Sequence, residues 1–143
     1  KSEGLFSAIF FGFDQERLYV RRDPDDRSQA RQEHCTVDLS IASGVHQHKL
    51  SFALAPAGAQ TFTASRADET GAYREIGRYG TIARKKILEL AMPFKDLGIE
   101  IGDQIRLSLT VSEHEMEVGR YPHHNPATFN RAGDDFEATM WRV

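Results

Sequence analysis

Alternation of apolar and polar side chains with a period of two residues is the feature that most restricts the fold of this chain. Successive side chains of a β-strand point to opposite faces of the sheet, so the pattern predicts strands with one buried face. No long helical pattern competes with it, and we predict an all-β fold, an antiparallel β-sandwich of two packed sheets. The clearest run occupies every second position of one segment: Ile105, Leu107, Leu109 and Val111.

Turn-forming residues separate the strand-like runs, as in Asp14–Arg17 and Asp68–Gly71. No internal repeat, linker or low-complexity tract is evident. The 143 residues have the length of one domain, and such a chain buries about 68–70% of its unfolded surface. We therefore predict that residues 1–143 form a single β-sandwich domain. The chain begins with Lys1 rather than Met, and we expect it to have been cut from a larger protein.

A corner between two strands is predicted at residues 93–98. Ile87 to Met92 has a strand pattern, Pro93 removes a backbone donor from the ladder, and Gly98 closes a single turn. We expect Phe94 and Leu97, the apolar residues of this turn, to be buried.

Composition argues against several classes of partner. The net charge is −3, and the basic runs Arg21–Arg22 and Arg84–Lys86 are too short for the extended basic stripe that binds nucleic acid. No apolar run approaches the ~20 residues of a membrane-spanning helix. The single cysteine, Cys35, cannot form an internal disulfide, which favours a reducing, cytoplasmic location. We predict no nucleic-acid partner and no membrane association.

Three segments resemble one group of sandwich domains. The run "ILELAMPFKDLGIEIGDQIRLSLTV" resembles the strand, Pro-aromatic corner and Gly-Asp turn of DOMON-like and family 9-like carbohydrate-binding sandwiches. The opening "FFGFDQERLYVRRDP" and the closing "EATMWRV" are similar to the first hairpin and the last strand of the C-terminal domain of family 57 glycoside hydrolases and glucodextranase-type proteins. The resemblance implies an immunoglobulin-like or DOMON-like fold.

The same resemblance implies a non-catalytic accessory module of an α-glucan-acting glycoside hydrolase. Its partners would be the catalytic domain of the same polypeptide and an α-glucan oligosaccharide, and no cofactor is expected. One alternative is a structural domain that packs on the catalytic barrel without binding sugar. The other is a haem-binding, electron-transfer module of the DOMON type, in which Met92 would pair with His114 or Met116.

Aromatic side chains are the candidate sugar ligands. Family 9 modules hold a sugar end between two tryptophans, whereas this chain has only Trp141. Alternation in the last strand groups Met140 with the core-facing residues and therefore predicts that Trp141 faces outward. The outward position leaves three roles open for Trp141: stacking against a sugar ring with help from Tyr121, Tyr73 or Tyr79, docking on the catalytic domain, or packing half-buried under a neighbouring loop.

No catalytic motif is present in the sequence. Gly-x-Ser-x-Gly and Gly-rich phosphate loops are missing, and Glu113, Glu115 and Glu117 alternate along one expected strand face without the paired geometry of glycosidase carboxylates. We predict that the chain is not an enzyme. If it proved to have hydrolase activity, Asp134 and Asp135 would be the first candidates.

Two metal-site hypotheses carry little weight. His46 and His48 share a face at strand spacing, but two ligands need a third from His34, His123 or His124, which the sequence cannot place. Three acids, Asp23, Asp25 and Asp26, could supply calcium ligands, yet they also form an ordinary turn around Pro24. We predict no metal site.

Overall fold

Alternate apolar residues of two antiparallel sheets meet in a single core, as the sequence predicts. The structure is a computed structural model and describes residues 6–24, 35–54, 61–84, 87–133 and 139–142. Its strands, in chain order, are β1 (Phe6–Phe13), β2 (Arg17–Pro24), β3 (Cys35–Ser43), β4 (His46–Ala53), β5 (Thr61–Ala67), β6 (Tyr73–Gly80), β7 (Ile82–Arg84), β8 (Ile87–Pro93), β9 (Gln104–Glu113), β10 (Met116–Tyr121), β11 (Ala127–Asn130) and β12 (Thr139–Arg142).

The two sheets have different widths. The five-stranded sheet has the order β12-β1-β2-β8-β7, and the seven-stranded sheet has the order β10-β9-β3-β4-β5-β6 with β11 also paired to β9. Their inner faces contribute the fully buried side chains, including Phe11, Leu18, Leu39, Leu50 and Phe62. The prediction of an antiparallel β-sandwich is confirmed. No helix in the described part of the chain is long and apolar enough to cross a lipid bilayer.

The predicted corner is the crossover from one sheet to the other. Pro93 ends β8, and Phe94–Leu97 form one 3-10 turn that Gly98 closes in the left-handed conformation, with φ of 66°. Both Phe94 and Leu97 are buried. The Phe94 ring lies edge-on to Phe13 with 6.0 Å between centroids, so the predicted placement is confirmed.

Removing the Phe94 ring should destabilise the whole domain, because a large side chain would leave an unfilled site in the core. We expect Phe94→Ala to lower the free energy of unfolding by about 3–5 kcal/mol, measured by denaturant titration. The matched control is Lys95→Ala in the same turn, where the side chain is exposed. A midpoint for Phe94→Ala equal to that of the control would contradict the buried placement.

A short sequence repeat marks both hairpins at the ends of the seven-stranded sheet, although sequence inspection did not detect it. Residues 75–80 read Glu-Ile-Gly-Arg-Tyr-Gly on β6, and residues 117–122 read Glu-Val-Gly-Arg-Tyr-Pro at the end of β10. Their inner neighbours are also similar, with Thr-Phe-Thr-Ala-Ser at 61–65 and Ser-Leu-Thr-Val-Ser at 108–112.

The two copies adopt the same local structure. In each, the register shifts at the second residue of the motif, so that Ile76 and Val118 are the extra residues of a β-bulge. In each copy the arginine of the motif forms an ion pair with the glutamate three positions earlier, Arg78 with Glu75 and Arg120 with Glu117. The glycines leave room for the tyrosine rings, since a Cβ at Gly77 would lie 3.3 Å from the Tyr79 ring.

The register relates the two halves of the sheet by an approximate two-fold axis. Tyr79 pairs with Phe62 in the first hairpin, and Tyr121 pairs with Leu109 in the second. Between the hairpins lie β3 and β4, which pair with each other through Asp38 and Ser51. The axis is normal to the sheet and passes through this pair, whose side chains are hydrogen-bonded, Ser51 Oγ donating to Asp38 Oδ1.

Candidate functional site

The outer face of the seven-stranded sheet is polar from edge to edge. Six residues form a continuous row across it, one on each strand from β10 to β6, as successive register partners: Arg120, Thr110, Asp38, Ser51, Thr63 and Arg78. These are the polar positions of the alternating strands, opposite the buried apolar positions. The face therefore offers hydroxyl, carboxylate and guanidinium groups rather than an apolar surface.

A groove of about 310 Å³ lies on this face, beside the polar row. This is at the lower end of the volumes typical of small-molecule sites, which are usually mostly apolar. This groove has both apolar and polar lining residues, and its donors and acceptors include the side chains of Ser40, Gln47, Tyr73, Arg106 and Ser108.

Register explains how the groove forms. Ala42 lies between Arg106 on β9 and Gln47 on β4 as the direct partner of both. On the other side of β4, His48 pairs with Arg66 of β5, so the next residue of β5, Ala67, lies beside Gln47. Ala67 pairs in turn with Tyr73 on β6. Small alanine side chains thus leave a low floor between Arg106 and Tyr73, whose backbones are four strand spacings, about 19 Å, apart.

Among the aromatic candidates whose side chains the structure describes, Tyr73 alone is exposed and lines the groove. Its residue is 40% exposed, and the Lys49 ammonium lies over the ring, 4.2 Å from the centroid. Such a cation–π contact orients both side chains at an exposed site. Sequence reasoning nominated Tyr73 and missed the surrounding polar residues, whose signal was their position at the polar steps of alternating strands.

The charges on this face are distributed unevenly. Arg120 makes a two-point ion pair with Glu117, with distances of 2.6 and 3.2 Å, and Arg78 pairs with Glu75 at 3.5 Å. Arg106 is exposed and makes no ion pair with any residue that the structure describes. Among the described residues, neither Arg106, which lines the groove, nor Lys49, which lies over Tyr73 beside it, makes an ion pair.

The Tyr79 side chain is held by contacts within the fold. Its ring stacks on Phe62 with 5.2 Å between centroids, and its hydroxyl donates a 2.8 Å hydrogen bond to Asp96 in the corner. Desolvation, followed by this contact with Asp96, raises the pKa of Tyr79 to about 12. The side chain thus ties the edge strand β6 to the crossover, and the expectation that it stacks on sugar is not supported by these contacts.

Tyr121 is only 6% exposed and belongs to the core. The prediction that its ring is available for sugar stacking is wrong, because β10 turns this side chain inward as the partner of Leu109. Alternation alone could not reveal this, since the bulge at Val118 resets which positions of β10 face inward.

Trp141 lies in β12 as the register partner of Phe11. The prediction that Trp141 faces outward stays a prediction. The indole itself lies outside the described part of the structure, so Trp141 carries no part of the site described here.

The two histidines predicted to share a face do so at the rim of the core. His48 is 2% exposed, whereas His46 is exposed, and their ring centroids are 6.4 Å apart. Burial, with smaller contributions from Arg66 and His46, lowers the pKa of His48 to about 4. Within the described ranges, no group of three His, Cys, Asp or Glu side chains could hold a metal ion.

Acid should destabilise the fold through His48. Its pKa is about 4 in the folded chain against an ordinary value of 6.5, so between these values the unfolded chain binds more protons. We expect the free energy of unfolding to fall as pH drops from about 6.5 towards 4, and His48→Leu to remove that part of the dependence. Denaturant midpoints across this range measure it, with the exposed His124→Gln as the control. An unchanged pH profile in His48→Leu would disprove the assignment.

The residues nominated for haem are not brought together. Met92 is fully buried in the core beside the corner, whereas His114 and Met116 are exposed and adjoin the far end of β9. The ten residues of β9 span about 33 Å. A Met92–His114 or Met92–Met116 axial pair does not fit this arrangement.

The predicted acidic face is also different in the structure. Glu113 ends β9, Glu115 lies in the following turn and Glu117 lies in β10, so they surround a hairpin rather than alternate along one strand. His34, Asp25, Asp26, Asp134 and Asp135 lie outside the described residues. The structure therefore does not test the hypotheses that involve them.

Comparison with known proteins adds no family assignment. No protein-family model, curated protein or solved structure matches this chain.

Proposed function

We propose that this β-sandwich is a non-catalytic carbohydrate-binding module that holds a sugar chain in the groove between Tyr73 and Arg106. The observation that carries the proposal is the groove itself, which combines an exposed aromatic ring with a floor of small residues. Its hydroxyl, amide and cationic groups suit a ligand rich in hydroxyls. An open groove also suits a chain, because a chain can extend beyond the site at either end.

Tyr73 supplies the stacking surface in this proposal. Tyrosine presents an apolar ring with a polar tip, which matches the apolar C–H face and polar rim of a sugar ring. Lys49 lies over the ring, and we expect it to shift towards ligand hydroxyls when sugar binds. The register partners Ser40 and Ser108 place hydroxyls on the floor.

The resemblance to accessory domains of family 57 glycoside hydrolases names α-glucan as the first ligand to test. The proposal gives the chain no catalytic step, because cleavage of the sugar chain would belong to the catalytic domain of the same polypeptide. Binding would keep that domain close to its polymeric substrate and raise the local substrate concentration.

Calorimetric titration with a maltooligosaccharide tests the proposal. We expect saturable binding that Tyr73→Ala weakens about tenfold, which corresponds to the loss of one aromatic contact of about 1.4 kcal/mol. Ile76→Ala is the matched control, because Ile76 is also 40% exposed on β6 but does not line the groove. Absence of saturable binding to neutral and acidic sugar chains alike would overturn the proposal.

A second candidate function, docking on a catalytic barrel without sugar binding, is favoured by a different surface. Val45 is 93% and Ile101 is 56% exposed. Both lie at one end of the sandwich, because Val45 follows β3 and Ile101 precedes β9, and Ala42 pairs with Arg106. Exposed apolar side chains near one another are typical of a contact surface.

Hydrogen exchange in the full-length polypeptide tests the docking function. If this end of the sandwich contacts the catalytic domain, amides at residues 44–46 and 100–102 should exchange more slowly there than in the isolated chain. The exposed turn at 114–115, at the opposite end, serves as the internal control. If the amides at residues 44–46 and 100–102 exchange at the same rate in the full-length polypeptide and in the isolated chain, docking through this surface is contradicted.

A further inference from the structure

We infer that the groove prefers an anionic saccharide, a sugar chain that carries carboxylate or phosphate groups, over a neutral α-glucan. This inference rests on the proposed sugar-binding function and specifies the class of ligand. It comes from the way that charge is paired on the outer face of the seven-stranded sheet.

Three arginines on this face can be compared by whether a carboxylate pairs with them. Arg78 and Arg120 occupy equivalent places in the two repeated hairpins, and each is neutralised by the glutamate three residues earlier. Arg106 lies outside the repeat on β9, is exposed in the groove, and makes no ion pair in the described part of the chain. It is thus a guanidinium with free donors at a site where its neighbours are already paired.

Lys49 adds a second positive charge to the same site. It lies over Tyr73, and its register partner on the neighbouring strand β3 is Ser40, which lines the groove. Asp38, the carboxylate on the adjacent row, accepts a hydrogen bond from Ser51 Oγ and does not line the groove. An incoming anion would therefore meet Arg106 and Lys49 as the principal charges of the groove.

Guanidinium geometry gives this preference chemical detail. Arginine presents N–H donors in a planar fork that matches the two oxygens of a carboxylate or phosphate, and such charge-assisted pairs are about twice as strong as neutral hydrogen bonds. A neutral hydroxyl offers these donors a single oxygen and no negative charge. Ser108 beside Arg106, and Gln47 across Ala42, would then bind the uncharged hydroxyls of the same sugar unit.

The matched probes for the test are a maltooligosaccharide and two derivatives of the same length. In one derivative the primary alcohol groups are oxidised to carboxylates, and in the other the primary hydroxyls carry phosphate. They share the sugar backbone and differ in charge. We expect a charged derivative to bind at least tenfold more tightly than the neutral one at low salt, and this advantage to shrink as salt is raised. The arm that binds more tightly distinguishes carboxylate from phosphate as the preferred group.

Variants assign the preference to the groove. Arg106→Gln should remove most of the advantage of the charged probes, and Lys49→Gln should reduce it partly. Arg78→Gln is the control, because it removes the same charge from the same face at a paired site outside the groove. Equal unfolding midpoints for the variants establish that the fold is retained.

The outcomes separate this inference from the function on which it rests. Neutral binding as tight as charged binding, with no effect of Arg106→Gln, would overturn the anionic preference and leave the sugar-binding function in place. Loss of the preference in Arg78→Gln as well as in Arg106→Gln would overturn its assignment to the groove. Absence of binding to every probe would overturn both.

Discussion

Burial of Phe94 at the corner is the interaction on which the arrangement of the two sheets depends. The ring contacts Phe13 of the five-stranded sheet, the Arg131 guanidinium covers it at 4.5 Å, and its backbone N–H donates to the carbonyl of Glu16. Arg131 also donates to the carbonyls of Ile99 and Gln15. One aromatic side chain therefore joins the first hairpin, the crossover and the segment after β11, and these contacts fix how one sheet lies on the other.

The polarity of the proposed binding face is a consequence of this arrangement, because the apolar positions of the central strands are buried in the core. One face of β3, β4, β5 and β9 is committed to the core, and their remaining positions, which are polar apart from alanines, face outward together. Tyr79 belongs to the same scaffold, since its hydrogen bond to Asp96 ties the edge strand to the corner. Tyr73, on the same strand but beyond the bulge, is left to present its ring.

Sequence reasoning identified what depends on neighbouring residues. The strands, the corner at 93–98 and the turns closed by Asp14 and Asp68 are local, and Asp68 illustrates why: its side chain accepts hydrogen bonds from Thr70 and Ala72 within the same turn. The register between distant strands is not local. It placed Tyr121 in the core, aligned Trp141 with Phe11, and brought Arg106 and Tyr73 to one groove although they are far apart in sequence.

The repeated bulges limit how the seven-stranded sheet can meet other chains. An edge strand normally presents an unbroken row of backbone donors and acceptors to which another strand can add, and bulges and charged side chains interrupt that row. Both β6 and β10 carry a bulge and a Glu–Arg pair at the same step of the motif. An extended peptide, or a second copy of this domain, therefore has poor templates for strand addition at these two edges. The bulged edges therefore limit the sheet to the strands of its own chain and leave the side chains of its outer face as the surface available for contact.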